Sequence, residues 1–219
     1  MTRIVSWNIN GRQNLWQAAA NLKSELNVDA LLLQEAPRPP ADLDVSVDLD
    51  TPWNTVGSGK YWRTAIAALS QDIQFKPKIL KPIDQAAKDE FRVSRPGTLA
   101  IGEITLPETN EIITLISVYS VWERPAVETK SSWIYADASA HRLISDISAL
   151  IGSQSGHKII AAGDLNILYG YGERGSSYWA KRYETIFSRM EAIGLNFIGP
   201  QAPIGGIQAD PHPTELPPK

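Results

Sequence analysis

The apolar run at positions 30–33, Ala-Leu-Leu-Leu, limits what this chain can fold into more than any other feature. Successive residues of a strand point to opposite faces of a sheet, so a run without a polar position predicts a strand that is buried on both faces. We predict this strand over residues 29–34. A sheet of that kind needs cover on both sides, which favours stacked layers of strands and helices.

Hydrophobic periodicity in the rest of the chain predicts more strands than helices. The predicted strands cover residues 3–9, 53–57, 64–70, 98–106, 112–119 and 157–163. The predicted helices cover residues 13–27, residues 136–151 and a segment containing Tyr183, Ile186, Phe187, Met190 and Ile193, which Gly194 ends as a C-terminal cap. Residues 57–60 and 76–96 are expected to be loops, and segment 107–111 predicts a hairpin turn. This pattern favours an α/β (α+β) fold with two β layers and helices outside them over a single doubly wound sheet.

Composition excludes several functional classes. The 219 residues carry a net charge of −3, which argues against a polybasic coat for nucleic acid. The absence of cysteine excludes disulfide frameworks, thiol catalysis and cysteine-ligated zinc. No apolar run approaches the roughly 20 residues of a membrane-spanning helix, and the N-terminus lacks the apolar core of a signal peptide. We therefore expect a cytoplasmic protein that does not contact membranes.

Polar residues close three of the predicted strands, where a sheet would bring them to one rim. The three segments are Ser6-Trp7-Asn8-Ile9-Asn10-Gly11, Leu32-Leu33-Gln34-Glu35 and Ile159-Ile160-Ala161-Ala162-Gly163-Asp164-Leu165-Asn166. Each segment alone is a weak signal, because asparagine, aspartate and glycine commonly form turns.

Together and in this order, the three segments resemble the endonuclease/exonuclease/phosphatase superfamily, which has the deoxyribonuclease I-like fold. The resemblance runs from Arg3 to about Pro200. It implies a four-layer α-β-β-α sandwich of two mixed sheets, formed by residues 1–198. It also implies hydrolysis of a phosphodiester or phosphomonoester with Mg²⁺ as the cofactor, Mn²⁺ being the alternative.

The resemblance also implies roles for five residues. Glu35 would be the principal metal carboxylate, with Asn8 beside it as a second ligand or as an amide that orients the ligand. Asp164 would lie close to the attacking water, and Asn166 would donate a hydrogen bond to a non-bridging phosphate oxygen. Tyr119, at the end of an apolar strand, would point at the scissile phosphate.

Structural interpretations of the same residues stay open at this point. Asp164 and Asn166 also suit a solvated turn between a strand and a helix. Tyr119 also suits a strand end whose ring lies in the core and whose hydroxyl is in water. Gln34, beside the expected metal carboxylate, is expected to orient backbone rather than substrate.

One mark of the family is missing from the sequence. Family members carry a C-terminal strand that ends in Ser-Asp-His, and this chain contains no such tripeptide. We expect helix-surface or turn positions for His141 and His157, and the prolines that flank His212 argue against a core strand there. We therefore expect a C-terminally incomplete domain, with residues 199–219 as a connecting loop, and weak or no activity for this chain alone.

Aromatic and basic residues are concentrated after the third segment, where they suit either stacking on nucleotides or packing into the core. Trp62 and Arg63 allow the same two interpretations. The residues of the concentrated segment are Tyr169, Tyr171, Arg174, Tyr178, Trp179, Lys181, Arg182 and Tyr183.

Three functions remain possible from the sequence. The first is a Mg²⁺-dependent nuclease that acts on DNA or RNA. The second is a phosphatase or phosphodiesterase on a small phosphorylated molecule or lipid head group, which the net charge of −3 fits slightly better. The third is a catalytically incomplete fragment or a non-catalytic binding domain on the same fold.

Overall fold

The computed structural model describes residues 1–57, 59–88, 90–125, 128, 135–167, 169 and 176–199. The chain forms two compact units. The first unit comprises Met1–Tyr119 and Lys158–Asp164, and the second comprises Ser120–His157 and Leu165–Lys219.

Ten strands and three helices make up the regular structure of the described residues. The strands are β1 (Ile4–Asn8), β2 (Ala30–Ala36), β3 (Ser46–Val47), β4 (Arg63–Ala68), β5 (Gln74–Lys78), β6 (Leu80–Pro82), β7 (Phe91–Val93), β8 (Leu99–Thr105), β9 (Ile112–Tyr119) and β10 (Ile159–Asp164). The helices are α1 (Leu15–Leu26), α2 (Ala136–Ser148) and α3 (Ser177–Ala192).

The first unit contains two mixed sheets, each of four strands. In one sheet the order is β1-β2-β4-β3, with β1 and β2 parallel, and in the other it is β10-β9-β8-β5, with β9 and β10 parallel. The remaining strand pairs within these two sheets are antiparallel. The parallel pairs are important for function because they bring their carboxyl-terminal ends to the same edge of each sheet.

The apolar run at positions 30–33 is buried on both faces, as predicted. Leu31 and Leu33 pack with Trp16 of α1, so this face of the sheet is covered by a helix. Leu32, on the opposite face, packs with Leu115 of the second sheet. The two sheets and α1 are thus held together by alternate residues of β2.

In the second unit, α2 and α3 pack against each other through Ala140, Ile144 and Ile186. An ion pair between Arg182 and the buried Asp137, with N···O 2.5 Å, also joins the two helices. Gly194 follows α3 with φ +83°, which confirms the predicted C-terminal cap.

The element predictions are confirmed for the helices, for the buried strands and for the hairpin of β8 and β9. The strand predicted over residues 53–57 is wrong, since only Thr55 makes an isolated bridge, to Lys60. The loop predicted over residues 76–96 is also wrong, because it contains β6, β7 and most of β5. β5 accommodates Pro77 because this strand lies at a sheet edge, where a proline does not interrupt a ladder on both sides.

Two mixed sheets with helices confirm the predicted fold class. The predicted segment 199–219 lies outside the described residues except for Gly199, so the predicted division at residue 198 stays a prediction. No helix among the residues that the structure describes is both long enough and apolar enough to span a bilayer.

Gly163 allows β10 to approach β9 closely. Its φ is +155°, and a Cβ at this position would collide with the carbonyl oxygen of Val118. We expect Gly163→Ala to lower the free energy of unfolding by about 3 kcal/mol, because it combines backbone strain with a collision against main chain. Urea denaturation measures this change. Gly152→Ala, where a Cβ meets no atom within 4 Å, is the matched control, and an equal loss in both variants would contradict the explanation.

Candidate active site

Four of the five predicted site residues lie at the carboxyl-terminal ends of strands in the first unit. Asn8 ends β1, and Glu35 is the penultimate residue of the neighbouring strand β2. Tyr119 and Asp164 end β9 and β10 and are paired with each other in the parallel ladder. The strand-end pattern in the sequence therefore predicted correctly which residues the two sheets place at their carboxyl ends.

The Asn8 side chain connects the two carboxylates. Its amide nitrogen Nδ2 donates to Glu35 Oε1 at 3.2 Å and to Asp164 Oδ2 at 3.0 Å. Its oxygen Oδ1 accepts from the backbone N–H of Asn10 at 2.8 Å. Since a backbone N–H only donates, this last bond determines which end of the amide is oxygen. Asn8 therefore orients the carboxylates in this structure and directs its own oxygen elsewhere.

The backbone of Glu35 adopts an unusual conformation. Its φ is +50°, and the ladder between β2 and β4 shifts register between Leu33 and Ala36. Such an irregularity turns a side chain out of the regular alternation of the strand. The Gly11 N–H donates to the Glu35 carbonyl oxygen at 2.8 Å and stabilises this conformation. Positive φ at a non-glycine residue is unfavourable and is found preferentially at functional sites.

Gln34 forms a polar connection between the sheets. Its side chain is 1% exposed, and Nε2 donates to Ser117 Oγ of β9 at 3.0 Å and to the Leu32 carbonyl oxygen at 2.9 Å. The Ser117 hydroxyl in turn donates to the Leu33 carbonyl oxygen at 2.9 Å. Gln34 thus orients backbone, as expected from its position beside Glu35. Ser117 was missed, although a lone serine within an apolar strand was a signal for it.

Tyr119 is only 8% exposed. Its ring makes an edge-to-face contact with Trp62, with 5.0 Å between centroids, and its N–H donates to the Thr98 carbonyl oxygen at 2.9 Å. The ring is therefore packed in place, as the core interpretation expected. The role predicted for its hydroxyl toward a phosphate stays a prediction.

Asn166 belongs to the second unit and follows Asp164 by two residues. Its φ is +52°, and its Nδ2 donates to the carbonyl oxygen of Ser120 at 2.8 Å. This bond joins the segments that leave β9 and β10. One amide hydrogen of Asn166 is used in this bond. The role predicted for Asn166 toward a phosphate oxygen stays a prediction.

The carboxylates and amide of the first unit fit a hard divalent cation. Mg²⁺ takes oxygen ligands and usually binds one or two carboxylates, while water and substrate phosphate complete its coordination. Glu35 and Asp164 supply two carboxylates, and both accept a hydrogen bond from Asn8 Nδ2. Over the described ranges, no group of three or more acidic or histidine side chains forms a fuller cage. Glu35 would therefore hold the cation, with Asp164 beside it, and water and a phosphate ester would complete the coordination.

Arg63 has a structural role and is not available for substrate. It is buried, pairs with Asp48 at 3.5 Å and lies over the Trp53 ring at 4.1 Å. Burial lowers the pKa of Arg63 to about 10, because the charged guanidinium is removed from water.

Among the described residues of the aromatic and basic segment that begins at Tyr169, some pack into the core and others are exposed. Trp179 and Tyr183 are buried in the second unit, whereas Tyr178 is 60% exposed beside Arg182. Tyr171 and Arg174 lie outside the described residues.

Both described histidines contact residues of the second unit. His141 Nδ1 lies 2.8 Å from Arg189 Nη1, and its pKa is lowered by partial burial and by the nearby arginines. His157 Nε2 lies 3.0 Å from the carbonyl oxygen of Ile193. His212 is outside the described residues.

The two mixed sheets with their helices form the deoxyribonuclease I-like fold. The model of the endonuclease/exonuclease/phosphatase family matches residues 5–185. The chain therefore belongs to the endonuclease/exonuclease/phosphatase family, whose members are hydrolytic phosphoesterases that generally depend on divalent metals. A sequence comparison with curated proteins finds no match.

Two solved structures share this fold. The endonuclease domain of TRAS1, a telomere-specific non-LTR retrotransposon, is 16% identical with a TM-score of 0.55, and the match covers 90% of this chain and 74% of that one. The AP endonuclease LMAP from Leishmania major is 19% identical with a TM-score of 0.51, over 88% of this chain and 66% of that one. This chain thus spans about three quarters of the length of the TRAS1 domain and about two thirds of the length of LMAP.

The Gln34–Ser117 hydrogen bond should contribute to stability beneath the site. We expect Gln34→Leu to lower the free energy of unfolding by about 1–3 kcal/mol, because it leaves buried polar partners unsatisfied. A double-mutant cycle with Ser117→Ala, measured by urea denaturation, should give a coupling energy of about 1 kcal/mol. Additive effects of the two substitutions would show that the bond contributes nothing.

Proposed function

We propose that this protein is a divalent-metal-dependent phosphodiesterase that cleaves nucleic acid. The observation that carries the proposal is the pair of carboxylates, Glu35 and Asp164, held on the amide nitrogen of Asn8. Two carboxylates at one place repel a phosphate ester unless a cation is bound between them. Mg²⁺, or Mn²⁺ in its place, supplies that charge and polarises the phosphate when bound.

The residues of this chain would then act on water and substrate. The Asp164 carboxylate would accept a proton from the attacking water. The water oxygen would bond to phosphorus while the ester P–O bond breaks. The Tyr119 hydroxyl would donate to the leaving oxygen. Asn166 would donate a hydrogen bond to a non-bridging oxygen, where negative charge increases in the transition state. Asn8 would keep Glu35 and Asp164 at their separation.

Nucleic acid is the substrate class we favour, because the two structures with which this chain shares its fold, TRAS1 and LMAP, are endonucleases. A small phosphorylated molecule is the second candidate. The net charge of −3 favours it, because broad binding of a polyanion usually requires a basic surface. A cytoplasmic location stays part of the proposal.

Glu35→Gln tests the metal site. This substitution keeps the shape of the side chain and removes its charge, so we expect weaker Mg²⁺ binding by calorimetry and a loss of hydrolysis on the order of 100-fold or more. Hydrolysis is measured on supercoiled plasmid, on single-stranded RNA and on bis(p-nitrophenyl) phosphate, with Mg²⁺, with Mn²⁺ and with EDTA. Because the sequence has no Ser-Asp-His, the wild-type rate should be low. The role of Glu35 is therefore judged from the ratio of the wild-type rate to the Glu35→Gln rate.

Glu25→Gln is the matched control, since Glu25 is an exposed residue of α1. It should bind Mg²⁺ and hydrolyse substrate as the wild type does. Cleavage of the small ester without cleavage of either nucleic acid would favour the second candidate. Absence of any hydrolysis, together with equal Mg²⁺ binding in Glu35→Gln and wild type, would contradict the proposal.

Tyr119→Phe separates the hydroxyl from the ring. The ring contact with Trp62 is kept, so the variant should fold, which the circular dichroism spectrum and a cooperative unfolding transition check. If the hydroxyl donates to the leaving oxygen, kcat should fall by about 100-fold, the lower end of the range for one positioned proton donor. An unchanged kcat would leave only the core role for Tyr119.

A further inference from the structure

Trp62 lies between two parts of the candidate active site. On one side its ring contacts Tyr119 edge to face, with 5.0 Å between centroids and 85° between planes. On the other side lies the Gly11 turn, so close that a Cβ on Gly11 would be 3.2 Å from Trp62 Cδ1. One half-buried indole thus touches both the segment after β1 and the residue that ends β9.

The Gly11 turn controls the backbone of Glu35. The Gly11 N–H donates to the Glu35 carbonyl oxygen at 2.8 Å. Both residues have positive φ, +66° for Gly11 and +50° for Glu35. Because the conformation of Glu35 is unfavourable in isolation, it depends on such contacts. A displacement of the Gly11 turn would therefore change the direction of the Glu35 carboxylate.

The main chain of Trp62 is itself anchored. The buried Thr55 hydroxyl donates to the Trp62 carbonyl oxygen at 2.7 Å. The backbone beside Thr55 lies so close to Gly97 that Gly97 has no room for a side chain. The carbonyl oxygen of the next residue, Thr98, accepts a hydrogen bond from the Tyr119 N–H at 2.9 Å. The indole is thus connected to Tyr119 through its ring and also through backbone.

We propose that Trp62 is a positioning residue, whose indole keeps the Gly11 turn, and through it Glu35, in register with the ring of Tyr119. This role rests on the proposed function, in which Glu35 and Tyr119 serve the same phosphate. A misplacement of about 1 Å in such a site can lower the rate by about 100-fold. Stacking of Trp62 on a nucleobase is the competing role, and it predicts weaker substrate binding instead.

Hydrogen exchange tests the structural part without any substrate. Exchange of the Gly11 amide is measured by NMR in wild type, Trp62→Ala and Trp62→Phe. We expect at least a 10-fold faster exchange in Trp62→Ala, because the Gly11–Glu35 hydrogen bond opens more often, and near wild-type exchange in Trp62→Phe, which keeps an aromatic edge. Tyr61→Ala is the control, since its side chain is 86% exposed and its loss should leave this amide unchanged. If Trp62→Ala does not fold, Trp62→Leu, which fills most of the space without an aromatic ring, replaces it.

Kinetics on the best substrate tests the functional part. We expect kcat of Trp62→Ala to fall by about 100-fold with little change in KM, and Trp62→Phe to recover most of the rate. A raised KM with unchanged kcat would support nucleobase stacking and overturn the proposal. Unchanged Gly11 exchange in Trp62→Ala would overturn it as well. If wild type hydrolyses nothing and Glu35→Gln binds Mg²⁺ as wild type does, the proposed function fails, whereas Gly11 exchange in Trp62→Ala still decides whether Trp62 holds the Gly11–Glu35 contact.

Discussion

The amide nitrogen of Asn8 is the point on which the candidate site depends. It donates to Glu35 of one sheet and to Asp164 of the other, and so joins the ends of β2 and β10. Two carboxylates placed together repel each other, and a shared donor lowers that repulsion. Beneath them, the hydrogen bond from Gln34 to Ser117 keeps the two sheets in register.

Several segments around Asn8 have an unfavourable backbone conformation or an unusually close packing contact. Glu35 has positive φ and is held by the N–H of Gly11. Gly163 approaches Val118 too closely for any side chain and so places Asp164 beside Tyr119. Trp62 packs against Gly11 on one side and Tyr119 on the other. Glu35 and Gly163 thus have unusual backbone conformations directly at or beside the side chains of the candidate site, a feature often found at functional sites.

Much of the fold was predictable because periodicity is a local property. The buried strand β2, the hairpin of β8 and β9 and all three helices follow from apolar spacing and turn residues. Residues 53–57 resemble a strand in sequence but lie outside the sheets, because Trp53 packs on Trp16 and beneath Arg63. Arg63 itself, a candidate for binding substrate, proved to be a buried partner of Asp48. Neither outcome is visible locally, since both depend on neighbours that are distant in the chain.

Sequence alone was sufficient to show that polar residues close the apolar strands, that cysteine chemistry is excluded and that the segments match a phosphoesterase family. Tertiary structure alone decided that Asn8 and Asp164, 156 positions apart, share a hydrogen bond. It also decided that the amide oxygen of Asn8 accepts a hydrogen bond from the backbone of Asn10, and that Trp62 lies against both Gly11 and Tyr119. Composition and spacing specify which residue types reach a strand end, whereas their direction depends on a ladder irregularity, on left-handed backbone and on packing across two sheets.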